Sequence, residues 1–440
     1  MYSISKIANS AKVISILFLW LSFLLIIVDS LGQEKLEEIQ SAEILARIEN
    51  GEPVNYDRII IEGNLDLRDA NLSTSDLVKS SIYITNSEIR GNVNFDHAIM
   101  MKSIRFGKTK FGGSASFNKS QFNEKTSFTE SLFNKSVSFE EAQFKGNADF
   151  GKSKFHDYVN FLHTAFTIGP VDFEDCEFNS ASCFNYAEFN SSESTFSGTR
   201  FGGPVSFWHA KFSGDADFTG AFFKESANFN FIQFKASSDF LGSRFMEDLY
   251  FNSAKFDKFR ISWDSIGNRL ITDGPTYILL IKNFRELEQF EDADNCYFYY
   301  REWKRNSRPL GLSKIFDYLA WLSCGYGVRW HYTILLSIFA IIFFGIYYES
   351  YDFINISSNH WLKINKTNSK KYEIAQSFKA AISFSAFILL SLPPEWCPFG
   401  KEEYTRKVKL HLYCATLERI IGWGLMLMLI GTISRLMVRY

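Results

Sequence analysis

The residues able to carry chemistry fall into three groups. Gly325-Tyr326-Gly327, just ahead of a hydrophobic run, is a tripeptide whose carbonyls could replace the hydration shell of a cation if several copies faced one axis. Glu288, Glu291, Asp292 and Asp294 gather enough oxygen for a divalent cation, although a solvated helix face or turn is the better reading of them. Cys176, Cys183, Cys296, Cys324, Cys397 and Cys414 are the thiols. No two are spaced as C-x-x-C, so zinc and dithiol chemistry lack their usual spacing and most read as packing residues. Cys397 and Cys414 would pair only in an oxidising compartment. The seven histidines are scattered, and neither a glycine-rich phosphate loop nor a nucleophile motif occurs. No catalytic, cofactor-binding or metal residue is assigned, and an enzyme is not expected.

What these groups can do depends on the elements that hold them. A chain of 440 residues suffices for two or three domains. Its net charge of -2 and pI of 6.4 argue against a life on nucleic acid or anionic lipid. Phe is the outlier: 46 residues, against only 8 Pro. One aromatic used so heavily in a chain so poor in breakers points to a repeat.

From Phe106 the phenylalanines recur at Phe111, Phe117, Phe122, Phe128, Phe133, Phe139, Phe144, Phe150, Phe155, Phe161 and Phe166. The spacing alternates five and six and continues to Phe256, with seven-residue gaps at Phe166–Phe173 and Phe189–Phe196. Every fourth member gives Phe106, Phe128, Phe150, Phe173, Phe196, Phe218 and Phe240, in steps of 22, 22, 23, 23, 22 and 22. Both insertions fall at one phase, as when one corner of a four-sided coil bulges in two successive turns. Two positions before each Phe stands a small or modest residue, such as Ala115, Val137, Ala148, Val159, Ala187, Val205, Ala216 or Ala227. Residues two apart in extended chain share a face, so each side points one small residue and one Phe inward, leaving Asp149 and Asp217 to water. The repeat is followed back through Met100, Phe95, Ile89, Ile84 and Leu72 to Leu67. About eight and a half coils at about 4.8 Å predict a rod of about 40 Å. An amphipathic helix fails, because a five-and-six alternation drifts around a 3.6-residue period.

This stretch resembles the pentapeptide-repeat family. The carriers are ANFNFIQF, ADFTGAFF and LDLRDANL at Leu65 to Leu72. The resemblance implies a mainly β fold, a right-handed quadrilateral β-helix, with eleven-residue units here in place of strict fives. It is specific for fold and not for function. Some members resemble DNA in shape and charge, which needs an acidic rod. Residues 62–260 carry about 25 acidic and 21 basic side chains, so neither DNA mimicry nor a nucleic-acid partner is expected.

Three hydrophobic segments bracket the repeat. Lys6 and Lys12 precede the apolar run Val13 to Val28, and small Ser30 and Gly32 come after it. That is the build of a secretory signal peptide, with an uncleaved N-terminal anchor as the alternative. Tyr332 to Tyr348 is just long enough to span a bilayer. Ala415 to Met437 spans too, with Glu418-Arg419 near its start and Arg435 closing it. Between them Ala380 to Leu392 is too short to cross, stops at Pro393-Pro394, and suits a re-entrant or interfacial helix. Ahead of these, Asp273-Gly274-Pro275 marks a turn, and Tyr277, Leu280, Ile281, Phe284, Leu287, Cys296, Tyr297, Tyr300 and Trp303 predict two amphipathic helices that would cap the β-helix.

In a potassium channel the filter follows a pore helix and precedes the inner span, with an outer span before both. Gly325-Tyr326-Gly327 has no span upstream and reads as a helix stop. The order beyond it, an outer helix, FKAAISFSAFILLSL and ATLERIIGWGLMLMLIGTISRLMVR, resembles the two-transmembrane ion-channel module, carried by Glu418, Ile421-Gly422-Trp423, Arg435 and Arg439. Where a filter would stand, this chain has SLPPEWCPFG, and proline is a poor base for a ring of aligned carbonyls. Basic residues flank both sides of the first span, with Arg301, Lys304, Arg305, Arg308 and Arg329 before it and Lys363, Lys366, Lys370, Lys371 and Lys379 after it, so charge sets no orientation.

The expected organisation is a signal peptide or anchor over 1–32, a helical cap and lead-in strand over 33–66, the β-helix over 67–260, a helical cap and linker over 261–328, and a small α-helical membrane domain over 329–440. The expected function is a scaffold anchored in the cell membrane with its β-helix outside the cytoplasm; an oligomeric pore of altered selectivity is the alternative. The membrane is the expected partner, a protein partner is not identified, and Gly422 and Gly424 would permit close helix packing in a homo-oligomer. The interior placement of the phenylalanines predicts that Phe150→Ala costs about 3–5 kcal/mol, read by denaturant melting; a loss under about 1 kcal/mol contradicts it.

Overall fold

The computed structural model describes residues 36–70, 77–359, 370–393 and 401–437. The signal segment 1–32, Leu72, Pro394, Cys397 and Arg439 lie outside the described residues. The chain forms two compact units, Met1–Thr272 and Asp273–Tyr440.

In the first unit the chain winds into stacked four-sided coils. Each side is a short strand paired in parallel with the strand one coil before and one coil after: Ala115 with Val93 and Val137, Phe122 with Met100 and Phe144. Four ladders result, two of them ten-stranded sheets and two fused into a seventeen-stranded sheet. The fusion occurs at Gln233–Asp239, a single strand that rounds a corner interrupted in earlier coils. The stack begins at Glu37–Gln40, paired with Ile59–Glu62, and ends at Leu270–Ile271, paired with Leu249–Tyr250. It therefore extends beyond the span over which Phe marks the rhythm, and ten rungs at about 4.8 Å make a rod of roughly 45 Å. At the leading end α1 (Ser41–Glu49) buries Ile44, Leu45 and Ile48 and packs on the first-coil strands. A one-turn helix, Trp263–Ile266, packs on the Arg244–Phe245 strand at the other end.

The interior is built as the spacing requires. Phe106 through Phe256 in the repeat are buried, and so are the small residues two positions ahead, Ala115, Val137, Ala148, Val159, Val205 and Ala227 among them. Parallel pairing in register places each ring on its counterpart one coil away: Phe150 lies 4.8 Å from Phe173 with planes 1° apart, and Phe196 lies 4.7 Å from Phe218. Rings from opposite sides interlock edge-on, as Phe161 does with Phe150 and Phe173 at 5.5 and 5.4 Å. Both geometries are favourable for aromatic quadrupoles. Some polar inward residues find a carbonyl on the spot: Ser153 and Thr164 donate to the carbonyls of Phe128 and Phe139 at 2.6 and 2.7 Å, whereas the buried Ser182 and Ser243 hydroxyls have no partner among the described residues.

The alternation of five and six has a cause in the corners. After Phe106, Phe117, Phe128 and their successors the chain makes a tight turn closed by a backbone bond, Thr109 N–H to Phe106 C=O at 3.2 Å and Ser131 to Phe128 at 3.0 Å. The residue before the donor is left-handed: Lys108, Lys119, Glu130, Glu141, Lys152 and, later, Gly198, Gly220 and Gly242. The intervening corners have no such residue and take one more amino acid. Both seven-residue gaps fall at one of them, where Ala148 pairs with Val171 and Val171 with Ser194.

The second unit is helical: α2 (Gly274–Glu286), α3 (Phe290–Asn306), α4 (Leu312–Cys324), α5 (Trp330–Asn359), α6 (Lys370–Leu389), α7 (Lys401–Leu410) and α8 (Leu412–Met437). Asp273 caps α2 by accepting from the Thr276 N–H at 2.9 Å, with Pro275 in the first turn. Segments Trp330–Ser350 and Leu412–Arg435 are long and apolar enough to cross a bilayer, and Phe378–Leu389 is shorter.

The turn geometry carries a stability prediction. A Cβ on Gly220 (φ +68) would come no nearer than 4.0 Å to the Gly198 nitrogen, so space is not limiting. Gly220→Val should destabilise the rod by about 1–2 kcal/mol through backbone strain alone; an unchanged denaturation midpoint contradicts the left-handed turn.

Candidate functional site

The first motif to place is Gly325-Tyr326-Gly327. Gly325 (φ +52) ends α4 in the left-handed region, its carbonyl accepts from the Val328 N–H, and the three residues form a turn into α5. The Tyr326 side chain is buried, and its hydroxyl accepts from Arg305 Nη1 at 2.9 Å. Burial pushes the Tyr326 phenol above its usual range. The tripeptide is thus a helix stop joined to an arginine cluster. Arg301 and Arg308 both donate to buried Asp317, at 2.7 and 2.5 Å, while the Arg305 guanidinium lies over Tyr318 and Trp321 at 4.6 and 5.1 Å. In the sequence these arginines read only as flanking charge. Besides local contacts with Glu302 and Tyr297, they reach Asp317, Tyr318, Trp321 and Tyr326 beyond α3, at separations that no local motif records.

The acidic group divides. Glu291 and Asp292 occupy the first turn of α3, where they complement the helix dipole, and Asp294 pairs with Arg435 at 3.2 Å. Among the described residues no group of three or more His, Cys, Asp or Glu forms a metal-binding arrangement. Cys176, Cys183, Cys296, Cys324 and Cys414 are free thiols. Burial pushes the Cys176 and Cys296 thiols up, away from the thiolate a nucleophile needs.

The helices α5, α6 and α8 hold the densest functional geometry. Glu418 on α8 is 0% exposed. One carboxylate oxygen accepts from Tyr348 of α5 at 2.7 Å and the other from Ser385 of α6. Phe344, Tyr348, Ala381, Phe384, Ile388 and Ala415 pack around this centre. Glycine sets the helix spacing: a Cβ on Gly422 would stand 1.9 Å from the Leu389 carbonyl oxygen, and one on Gly345 3.2 Å from the Ile382 Cα. Gly422 thus serves contact within the chain, and a Cβ on Gly424 would meet nothing within 4 Å. Trp423 Nε1 donates to Ser391 Oγ at 2.8 Å just beyond α6. The opposite faces of the long helices are exposed and apolar, with Leu335, Phe339 and Phe343 on α5 and Ile420, Met426, Leu427 and Ile430 on α8.

On the rod, charges pair from coil to coil. Lys110 meets Glu88 at 2.9 Å, Lys154 meets Glu177 at 3.1 Å and Lys211 meets Glu188 at 3.0 Å. Such exposed pairs add little stability, but they cancel the field a DNA mimic would need. Asp172 is an exception, facing Asp149 in register; burial and then that neighbour hold its carboxyl above its ordinary range. One corner instead carries a column of rings, His163, Tyr186, His209 and Phe231, stacked 4.6 to 5.0 Å apart in left-handed turns with Trp208 edge-on to Tyr186. These positions share the repeat's period, a signal present in the sequence but hidden by the more regular Phe.

A family model described as pentapeptide repeats (nine copies) matches residues 117–165, the segment that holds Phe117 through Phe161. Comparison with curated proteins and with solved structures returned no match.

Glu418→Ala should cost on the order of 2–4 kcal/mol, because two buried hydroxyls lose their partner, whereas Glu418→Gln keeps one acceptor and costs less. Thermal unfolding of the purified chain in detergent reads both, and equal midpoints for the two variants contradict the clasp.

Proposed function

We propose that this is a membrane-anchored pentapeptide-repeat protein whose rod is a binding or structural scaffold on the extracytoplasmic side, without enzymatic activity. One observation carries the anchoring: α5 and α8 bury Glu418, Tyr348, Gly345 and Gly422 against each other and α6, yet leave broad faces of large apolar side chains exposed on the outside. A soluble bundle does not leave such outer faces to water, and they suit lipid as solvent. Each segment is long enough, since 21 and 24 residues at about 1.5 Å rise per residue match a hydrocarbon core of about 30 Å. The signal-type run Val13 to Val28 supports export of the rod behind it. For the rod, in-register charge pairing from coil to coil favours a scaffold.

An oligomeric pore is the second reading. It is favoured by the place of α6, a short apolar helix clasped through Ser385 and Glu418 between two longer ones in the chain order of a pore-loop module.

The test is topological. With a protease site inserted at the exposed Ile168 corner, cleavage on intact cells is expected, and the uncleaved chain should stay in the membrane fraction after alkaline washing. Cleavage only after lysis would put the rod in the cytoplasm, and release by the wash would remove the anchor. Ion flux through liposomes carrying purified protein is expected to be absent, and its presence would favour the pore.

A further inference from the structure

We infer that α4 is an interfacial anchor, lying in the headgroup region of the same bilayer with its apolar stripe toward the acyl chains. The inference rests on the reading that α5 and α8 span.

Leu312, Ile315, Phe316, Leu319 and Leu322 recur at three- and four-residue spacing and so share one face of the helix. All five are exposed, Leu312 by 76% and Phe316 by 68%. A soluble surface does not ordinarily leave such a contiguous stripe uncovered. The opposite face is fixed to the protein. Asp317 is buried and takes both Arg301 and Arg308, and Arg305 stacks on Trp321 and Tyr318 while donating to Tyr326. Rolling α4 to hide the stripe would break both ion pairs and strand a buried carboxylate, so the exposure is built in.

The surroundings of the stripe indicate its cover. Thr333 Oγ1 of α5 donates to the Ser323 carbonyl of α4 at 2.8 Å, which ties the end of one helix to the start of the other. Beyond that joint the exposed surface continues through Trp330, Ile334, Leu335, Ile338 and Phe339. An indole at this junction is the side chain that favours the headgroup level. A second copy of the chain could cover the stripe alone. A bilayer covers the stripe and the span together, and the polar back of α4 then faces water and protein as an interfacial helix requires.

The experiment uses the full chain in phosphatidylcholine vesicles, with a fluorescent amino acid at position 316, at 339 or at 304. Lipids spin-labelled near the headgroup, lipids labelled deep in the chain, and aqueous iodide serve as quenchers. The 316 probe should be quenched most by the shallow label, at a depth of about 5–10 Å, the 339 probe by the deep label, and the 304 probe by iodide. Strong iodide quenching at 316 would overturn the inference while leaving the spans intact. Shielding of 316 from all three quenchers would also overturn it, in favour of a second copy. Failure of any lipid label to reach 339 would remove the spanning reading, and this inference with it.

Discussion

The rod depends on one constraint: parallel strands hydrogen-bonded in register repeat at about 4.8 Å, and anything on one coil must stand on its counterpart in the next. Phe satisfies this on every side because a flat ring can stack at that separation, and the observed centroid distances of 4.7 and 4.8 Å are strand spacings as much as ring contacts. The same constraint acts outside. Lys faces Glu, and the His–Tyr–His–Phe column stacks for the reason the interior does. These outward ladders thus engage their side chains with the neighbouring coils.

The constraint also decides where length can vary. The left-handed turn has two residues between its Phe and the next inward position, and its closing hydrogen bond tolerates no insertion. One open corner absorbs the irregularity instead. It gains a residue between Phe166 and Val171 and again between Phe189 and Ser194. It loses one where Ser238 pairs with Phe259 after Phe234 has paired with Phe256. That loss sets Phe259 opposite Ser238, in the place of the small inward residue, with its ring tilted against Phe240 at 5.1 Å.

This explains what the sequence could reveal. The interior was legible because a buried Phe recurs at a fixed period, and stacked insertions appear as steps of 23 among steps of 22. The ends were not. Before Phe95 the inward residues become Ile, Leu and Val, and the pairing step widens to 28 between Val54 and Ile82. After Phe256 a shortened coil moves Phe259 and Leu270 out of phase. In the helical unit the long apolar helices and the helix stop at Gly325 were legible from local composition. The clasp at Glu418 joins residues 70 and 33 positions apart. The lock on Asp317 needs two arginines from outside its own helix. Neither has a period or a spacing to betray it.

The two units solve opposite problems. The rod has apolar bulk inside and must satisfy its outer surface with paired charge and amide. The α5–α6–α8 group buries a carboxylate, hydroxyls and glycines among a few aromatic and aliphatic side chains, and also carries apolar bulk on its outer faces. That arrangement bears on conduction. The space between the three helices is filled by Phe344, Tyr348, Phe384 and Ile388, and the Glu418 carboxylate is occupied on both oxygens by hydroxyl donors from the other two helices. A file of water or ions cannot pass there without opening that core and exposing a carboxylate to it. A conducting form would therefore have to place its path between copies of the chain. Gly422 is already consumed by the Leu389 carbonyl, so such an assembly would be built on the exposed faces that in a single chain are the ones suited to lipid.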